Sequence, residues 1–258
     1  MRYGICTGLE NLETVKNAGY DYIEPSVTGV MKLTPEETEK YALKLKEMRI
    51  GAEVFNVLFP KTMALLGPEA DEKALRSYLA EAFARISSLG AKTVVFGSGK
   101  SRSCPEGYEY GKAYRELKKV YRATGEEASR FGITVVIEPL SRKETNMICT
   151  MAEGAILMED VGNENVKLLS DYFHVIANND DIGIMKTIRH FSHIHIASGN
   201  GRRYPLSAEN EKYAEFMKAL KEIGYDGRMS IEGKTDNMAE DAPKALSFLK
   251  KTEAEANG

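Results

Sequence analysis

Along this chain, amphipathic runs that close near a glycine alternate with short runs rich in β-branched and aromatic residues. Gly19 precedes such a run at 20–24, Gly51 at 52–56, Gly90 at 93–96, Gly132 at 133–138, Gly162 at 166–171 and Gly224 at 228–232. Glycine ends helices because it accepts a left-handed backbone without a Cβ clash. Two further strand-like runs, 3–6 and 192–196, lack the glycine and bring the predicted strands to eight. Helical periodicity fills the intervals at 36–48, 72–89, 110–131, 152–161 and 213–223. Regular β/α alternation with apolar strands predicts a parallel sheet covered on both faces. Eight units in this length predict one (β/α)8 barrel over residues 1–258. A doubly wound open sheet is the alternative, but no Gly-rich dinucleotide turn follows the first strand. The long irregular stretches, 58–68, 97–107 and 197–210, all follow strands, where a barrel builds its catalytic face.

The polar residue closing each later strand is the informative one. Glu138 ends the fifth, Asp171 the sixth and Glu232 the eighth, while His195 sits near the end of the seventh. In a barrel these positions converge on one mouth, where three carboxylates repel unless a cation or shared protons compensate. Three carboxylates and one imidazole favour one divalent ion of hard to borderline type, such as Mn²⁺, Mg²⁺ or Co²⁺. The four histidines, His174, His190, His193 and His195, are clustered. His193 shares the inward face with His195 but lies deeper, and reads as a packing or supporting residue; His190 reads as surface. Glu24 closes the second strand and is read either as a neighbour of the site or as half of a structural ion pair. The Arg202-Arg203 pair is read as a binder of substrate oxygens or as solvated loop charge. Gly97-Ser98-Gly99-Lys100-Ser101 is not a Walker loop, because Val94 stands where its first glycine belongs.

Composition narrows the partners. Apolar content of 43%, charged content of 28% and a net charge of −3 describe an ordinary globular chain with no footprint for nucleic acid or an anionic membrane. The expected partner is a small molecule. No apolar run is long enough to span a membrane, and the strand-like start predicts no signal peptide. Three widely spaced cysteines make neither a disulfide framework nor a paired metal motif, which fits a cytoplasmic protein. A homo-oligomer stays open.

The run Ile137-Glu138-Pro139-Leu140-Ser141-Arg142-Lys143-Glu144-Thr145-Asn146 resembles the E-P-L-N-R-x-E-x-N signature of the sugar isomerases and epimerases related to D-tagatose and D-psicose 3-epimerase. These belong to the xylose-isomerase-like barrel superfamily. The resemblance continues through Asp171-Tyr172-Phe173-His174, His193-Ile194-His195-Ile196-Ala197, Gly201-Arg202-Arg203-Tyr204-Pro205 and Ser230-Ile231-Glu232. It implies that Glu138, Asp171, His195 and Glu232 bind the metal and that Glu138 and Glu232 are also the acid/base pair. It further implies that Glu144, His174 and one of Arg202 and Arg203 contact substrate hydroxyls. The implied reaction is proton abstraction beside a ketose carbonyl through an enediolate. A lyase of the inosose-dehydratase type and a non-catalytic sugar-binding subunit are the alternatives. Ser141 stands where the signature has Asn, Ser198 where near relatives often carry an acid, and the chain has no tryptophan. These departures bear on which sugar or polyol is bound.

Overall fold

The computed structural model describes residues 1–257. Eight parallel strands, β1 (Arg2–Cys6), β2 (Tyr22–Glu24), β3 (Val54–Phe55), β4 (Thr93–Phe96), β5 (Thr134–Ile137), β6 (Val166–Asp171), β7 (His193–Ile196) and β8 (Arg228–Ile231), pair in the order β2-β1-β8-β7-β6-β5-β4-β3. The ends β2 and β3 meet through isolated parallel bridges, Tyr22 with Gly51 and Ser26 with Asn56, so the barrel is nearly closed. Ten helices accompany the strands: α1 (Leu12–Asn17), α2 (Val27–Val30), α3 (Pro35–Met48), α4 (Glu72–Ser88), α5 (Tyr110–Ser129), α6 (Met151–Val161), α7 (Tyr172–Ala177), α8 (Met185–Ile188), α9 (Tyr213–Glu222) and α10 (Met238–Asn257). Among the described residues no helix is long and apolar enough to cross a membrane, and Cys6, Cys104 and Cys149 are free thiols.

Local chemistry explains the boundaries. Thr34 and Glu37 form a capping box at the start of α3, followed by Pro35 in the first turn, and Thr150 with Glu153 does the same for α6. The expected strands 20–24 and 52–56 are shorter in fact, because the β2–β3 seam pairs at single bridges rather than along a ladder. Glu138 and Glu232 stand one residue beyond β5 and β8.

Strand alternation divides the buried residues into two layers. Tyr3, Ile5, Ile23, Phe55, Val94, Phe96, Ile137, Ile194 and Ile231 belong to the large core beneath the helices. Tyr22, Val54, Val95, Val136 and Leu169 form a separate fully buried cluster inside the barrel. The remainder of the lumen is polar. Tyr22 crosses it to hydrogen-bond Ser230 Oγ at 2.8 Å, in space left by Gly4, where a Cβ would lie 2.1 Å from the Tyr22 ring. Above this layer the inward positions carry acids and imidazoles.

Candidate metal centre and cleft

His195 occupies the middle of the mouth and is fully buried. Its Nε2 lies 2.8 Å from Glu24 Oε1. Its Nδ1 lies 3.2 Å from Glu138 Oε1 and 3.0 Å from Glu232 Oε2. Glu24 uses its other oxygen on His193 Nε2 at 2.9 Å. A buried carboxylate thus takes one ring N–H from each histidine, which fixes the ring of His195 and turns Nδ1 toward the other acids. Both open readings of Glu24 meet here: it adjoins the site, and it does so through buried ion pairs. His193 is the supporting residue expected of it, and His190 is exposed.

Asp171 ends β6 and caps α7, with Oδ1 accepting from Phe173 N–H at 2.8 Å. Its Oδ2 is left for Arg202 Nη2 at 3.1 Å and lies 3.6 Å from His174 Nε2. Glu138 has room because Gly97 lacks a side chain; a Cβ there would lie 2.1 Å from Glu138 Oε2. Glu232 accepts from Arg202 Nη2 at 2.5 Å and faces Asn56 Nδ2 at 3.5 Å.

The arginine pair is split. Arg202, at φ 54° in the left-handed region, folds its guanidinium over the acids and onto the Phe173 ring at 4.9 Å. Arg203 pairs instead with exposed Asp236 at 2.5 Å and is not brought to the site. Glu144 stands at the rim, 3.4 Å from Arg202 Nη1. His174 Nδ1 accepts from Ser141 N–H at 2.9 Å, so its Nε2 carries the proton in the neutral ring, buried and without a hydrogen-bond partner among the described residues.

The charges answer one another. Burial pushes the Glu138 carboxyl up, and the neighbouring Glu232 pushes it further. Burial acts on Glu232 too, but Arg202 and His195 outweigh it and hold this carboxyl down at about 2. Glu24 is likewise held well below the usual carboxylate range by His195 and His193 against its burial. Burial would lower His195, yet Glu24 and Glu232 raise it well above an ordinary imidazole. The acids therefore demand positive charge at Nδ1, supplied by a proton or by a metal ion that replaces it.

One ligand atom from each of Glu138, Asp171, His195 and Glu232 can be chosen so that all lie within 4.8 Å of one another. Three carboxylates and an imidazole nitrogen already oriented from behind suit a hard to borderline divalent cation, so the residues fit such an ion. Cys6, Glu24 and His195 also converge, but both Glu24 oxygens are already taken by the two imidazoles. Glu138, Glu232, Glu144 and Arg202 open onto a cleft of about 350 Å³ walled by Phe59, Leu140 and the loops after β3 to β5.

Sequence reasoning did not find Arg102, which is fully buried. It donates to the carbonyls of Gly97 at 2.6 Å, Met147 at 2.5 Å and Glu138 at 2.9 Å, tying the β4 and β5 loops together. Nothing in its local pattern distinguishes it from a solvated loop arginine.

Residues 12–252 match the sequence pattern of the family described as the xylose isomerase-like TIM barrel. The chain belongs to that family. Within it, the chain is 29% identical over 240 residues to an L-ribulose 3-epimerase of Mesorhizobium japonicum, covering 86% of this chain and 73% of that protein. A D-psicose 3-epimerase of Agrobacterium fabrum is 35% identical over 107 residues, a local match to 41% of this chain and 36% of that one. A crystal structure of D-psicose 3-epimerase in the presence of D-fructose superimposes with a TM-score of 0.87, at 22% identity, over 98% of this chain and 99% of the other. At that identity the likeness shows the family's fold.

Proposed function

We propose that this protein is a metal-dependent ketose epimerase that removes and returns a proton at a carbon beside a carbonyl. The observation that carries the reading is the pair Glu138 and Glu232: two carboxyl groups on one cleft, both against His195 Nδ1, with acidities driven in opposite directions. Pairs of titratable groups with opposed shifts are a mark of acid/base assignments. The names of the relatives, L-ribulose and D-psicose 3-epimerase, support the substrate class.

We assign one divalent ion to Glu138, Asp171, His195 and Glu232, manganese before magnesium or cobalt, and a cytoplasmic setting. When bound, the ion supplies the positive charge that acidifies the C–H beside the carbonyl and stabilises the negative charge left on oxygen. The protein's own groups do the rest. In one direction Glu232 accepts the proton and Glu138 returns one from the other face, and the reverse reaction exchanges the two. Arg202 and the unpartnered Nε2–H of His174 orient substrate oxygens, and Glu144 accepts from a hydroxyl at the rim. Phe59 and Leu140 keep one wall of the cleft apolar and limit water.

The test is solvent-proton exchange. With Mn²⁺ and a panel of ketoses in D₂O, NMR is expected to show deuterium entering beside the carbonyl, and Glu138→Gln and Glu232→Gln to suppress it at Mn²⁺ concentrations high enough to load each weakened site. Failure of exchange with every ketose and inosose tried contradicts the proposal.

A further inference from the structure

The cleft is lined by cations as well as acids. Lys61, Lys100 and Lys143 all line it, each on the loop after a different strand, β3, β4 and β5, which are neighbours in the sheet. All three are exposed. Lysine ion pairs among the described residues involve Lys44, Lys186, Lys244 and Lys251 instead.

Solvated lysines on an outer helix would mean little, but these ride on loops locked to one another. Ser98 Oγ accepts from Phe59 N–H at 3.1 Å, and Ser101 Oγ donates to Pro60 O at 2.9 Å. Ser103 Oγ and Thr145 Oγ1 are 3.1 Å apart, and buried Arg102 bonds the Gly97, Met147 and Glu138 carbonyls. The backbones carrying the three ammonium groups therefore form one unit, and Glu138 is fixed to the same unit. Such a platform fixes where the three side chains start, so a ligand has to order only the side chains and not the loops.

Neutral sugar hydroxyls give three ammonium groups little to pair with. Arg202 and a divalent ion already offset most of the charge on Glu138, Asp171, Glu232 and Glu144. The lysines are therefore not needed to balance the acids. They match an anionic substituent at the far end of a ligand whose carbonyl end lies at Glu138 and Glu232.

We infer that the substrate is a ketose carrying a terminal anion, a phosphate ester or a carboxylate, received by Lys61, Lys100 and Lys143. The identity of the reacting end rests on the ketose-epimerase reading above; the anion rests on the lysines.

The experiment compares binding, by calorimetry on the Mn²⁺-loaded protein, of D-psicose, D-psicose 6-phosphate and the ketose uronate D-fructuronate, with solvent-proton exchange followed by NMR on the same samples. An anionic ketose is expected to bind roughly 10- to 100-fold tighter than the neutral one. The preference should shrink with added salt, vanish in the triple variant K61Q/K100Q/K143Q and persist in Lys244→Gln. A preference for the phosphate identifies an ester, and one for the uronate a carboxylate. Equal binding of all three ligands, or a preference that survives in the triple variant, overturns the inference, while exchange into D-psicose leaves the epimerase reading standing. Tight, lysine-dependent anion binding without exchange into any ligand upholds the lysine site and overturns the epimerase reading instead.

Discussion

Where the strands begin, Glu53 lies between two arginines: Arg2 grips both its oxygens at 2.7 and 2.6 Å, and Arg228 Nη2 meets it at 2.5 Å. Where the strands finish, Glu138, Asp171, Glu232 and Glu144 share the single guanidinium of Arg202 and the ring of His195. The first cluster satisfies its acid from within the chain and closes the barrel floor. The second does not, and its excess negative charge is left for bound protons or a cation to offset. Barrels of this kind separate the two tasks, stability at the floor and chemistry at the mouth. The difference lies in the ratio of fixed positive to negative groups.

That comparison is sharpest if substitutions at the two ends change different observables. Glu138→Gln is expected to lower turnover by about 10² to 10⁴, the usual worth of general acid–base help. Without metal the variant should lose no thermal stability, since it removes a buried acid that Glu232 repels. A clear fall in melting temperature would mean that the mouth, too, is built for stability.

Glu24→Gln should weaken divalent metal binding by roughly 10- to 100-fold, as loss of a group that orients a metal-binding histidine does. Chelator competition checks the affinity, and ¹⁵N NMR of His195 should show the Nε2–H preference weakened. Unchanged affinity would reduce Glu24 to a packing residue.

Glu53→Gln should cost roughly 1 to 2 kcal/mol of folding free energy, discounted for its partial exposure, and leave metal affinity and turnover untouched. Burial raises this carboxyl, but Arg2 and Arg228 together hold it below its ordinary value. A group depressed on folding stabilises above its unfolded pKa and loses that contribution as pH falls through the folded value. The gap between wild type and Glu53→Gln in urea unfolding should therefore be full at neutral pH and close at acid pH below roughly 4. A gap independent of pH would contradict the ion-pair account of the floor.

Tyr22→Phe, which removes the lumen hydrogen bond to Ser230, is the smallest of these changes, about 1 kcal/mol by thermal unfolding with metal affinity retained. Loss of metal binding in that variant would mean that the lumen transmits to the mouth.

The eight strands and the polar residues that close them were legible because both follow from alternation within a strand, which needs no knowledge of distant partners. Glu138, Asp171, His195 and Glu232 fall on inward positions by counting alone. Arg202 and Arg203 could not be told apart, because a left-handed turn at Arg202 decides which side chain enters the mouth, and loop register has no period. Arg102 was missed for the same reason: its partners are three backbone carbonyls on the loops after β4 and β5. Glu24 stood in the right pattern, but its two imidazoles come from β7, across the lumen. Sequence alone could not supply that pairing.

The central claim is that the mouth is completed by one divalent cation on Glu138, Asp171, His195 and Glu232. Titrating Mn²⁺ into the chelator-treated protein, with free ion read by electron paramagnetic resonance, tests it directly. A single tight ion per chain is expected, with a rise in melting temperature as the ion saturates, and both should be lost in Asp171→Asn. Absence of tight binding, or binding that Asp171→Asn leaves unchanged, would contradict the account.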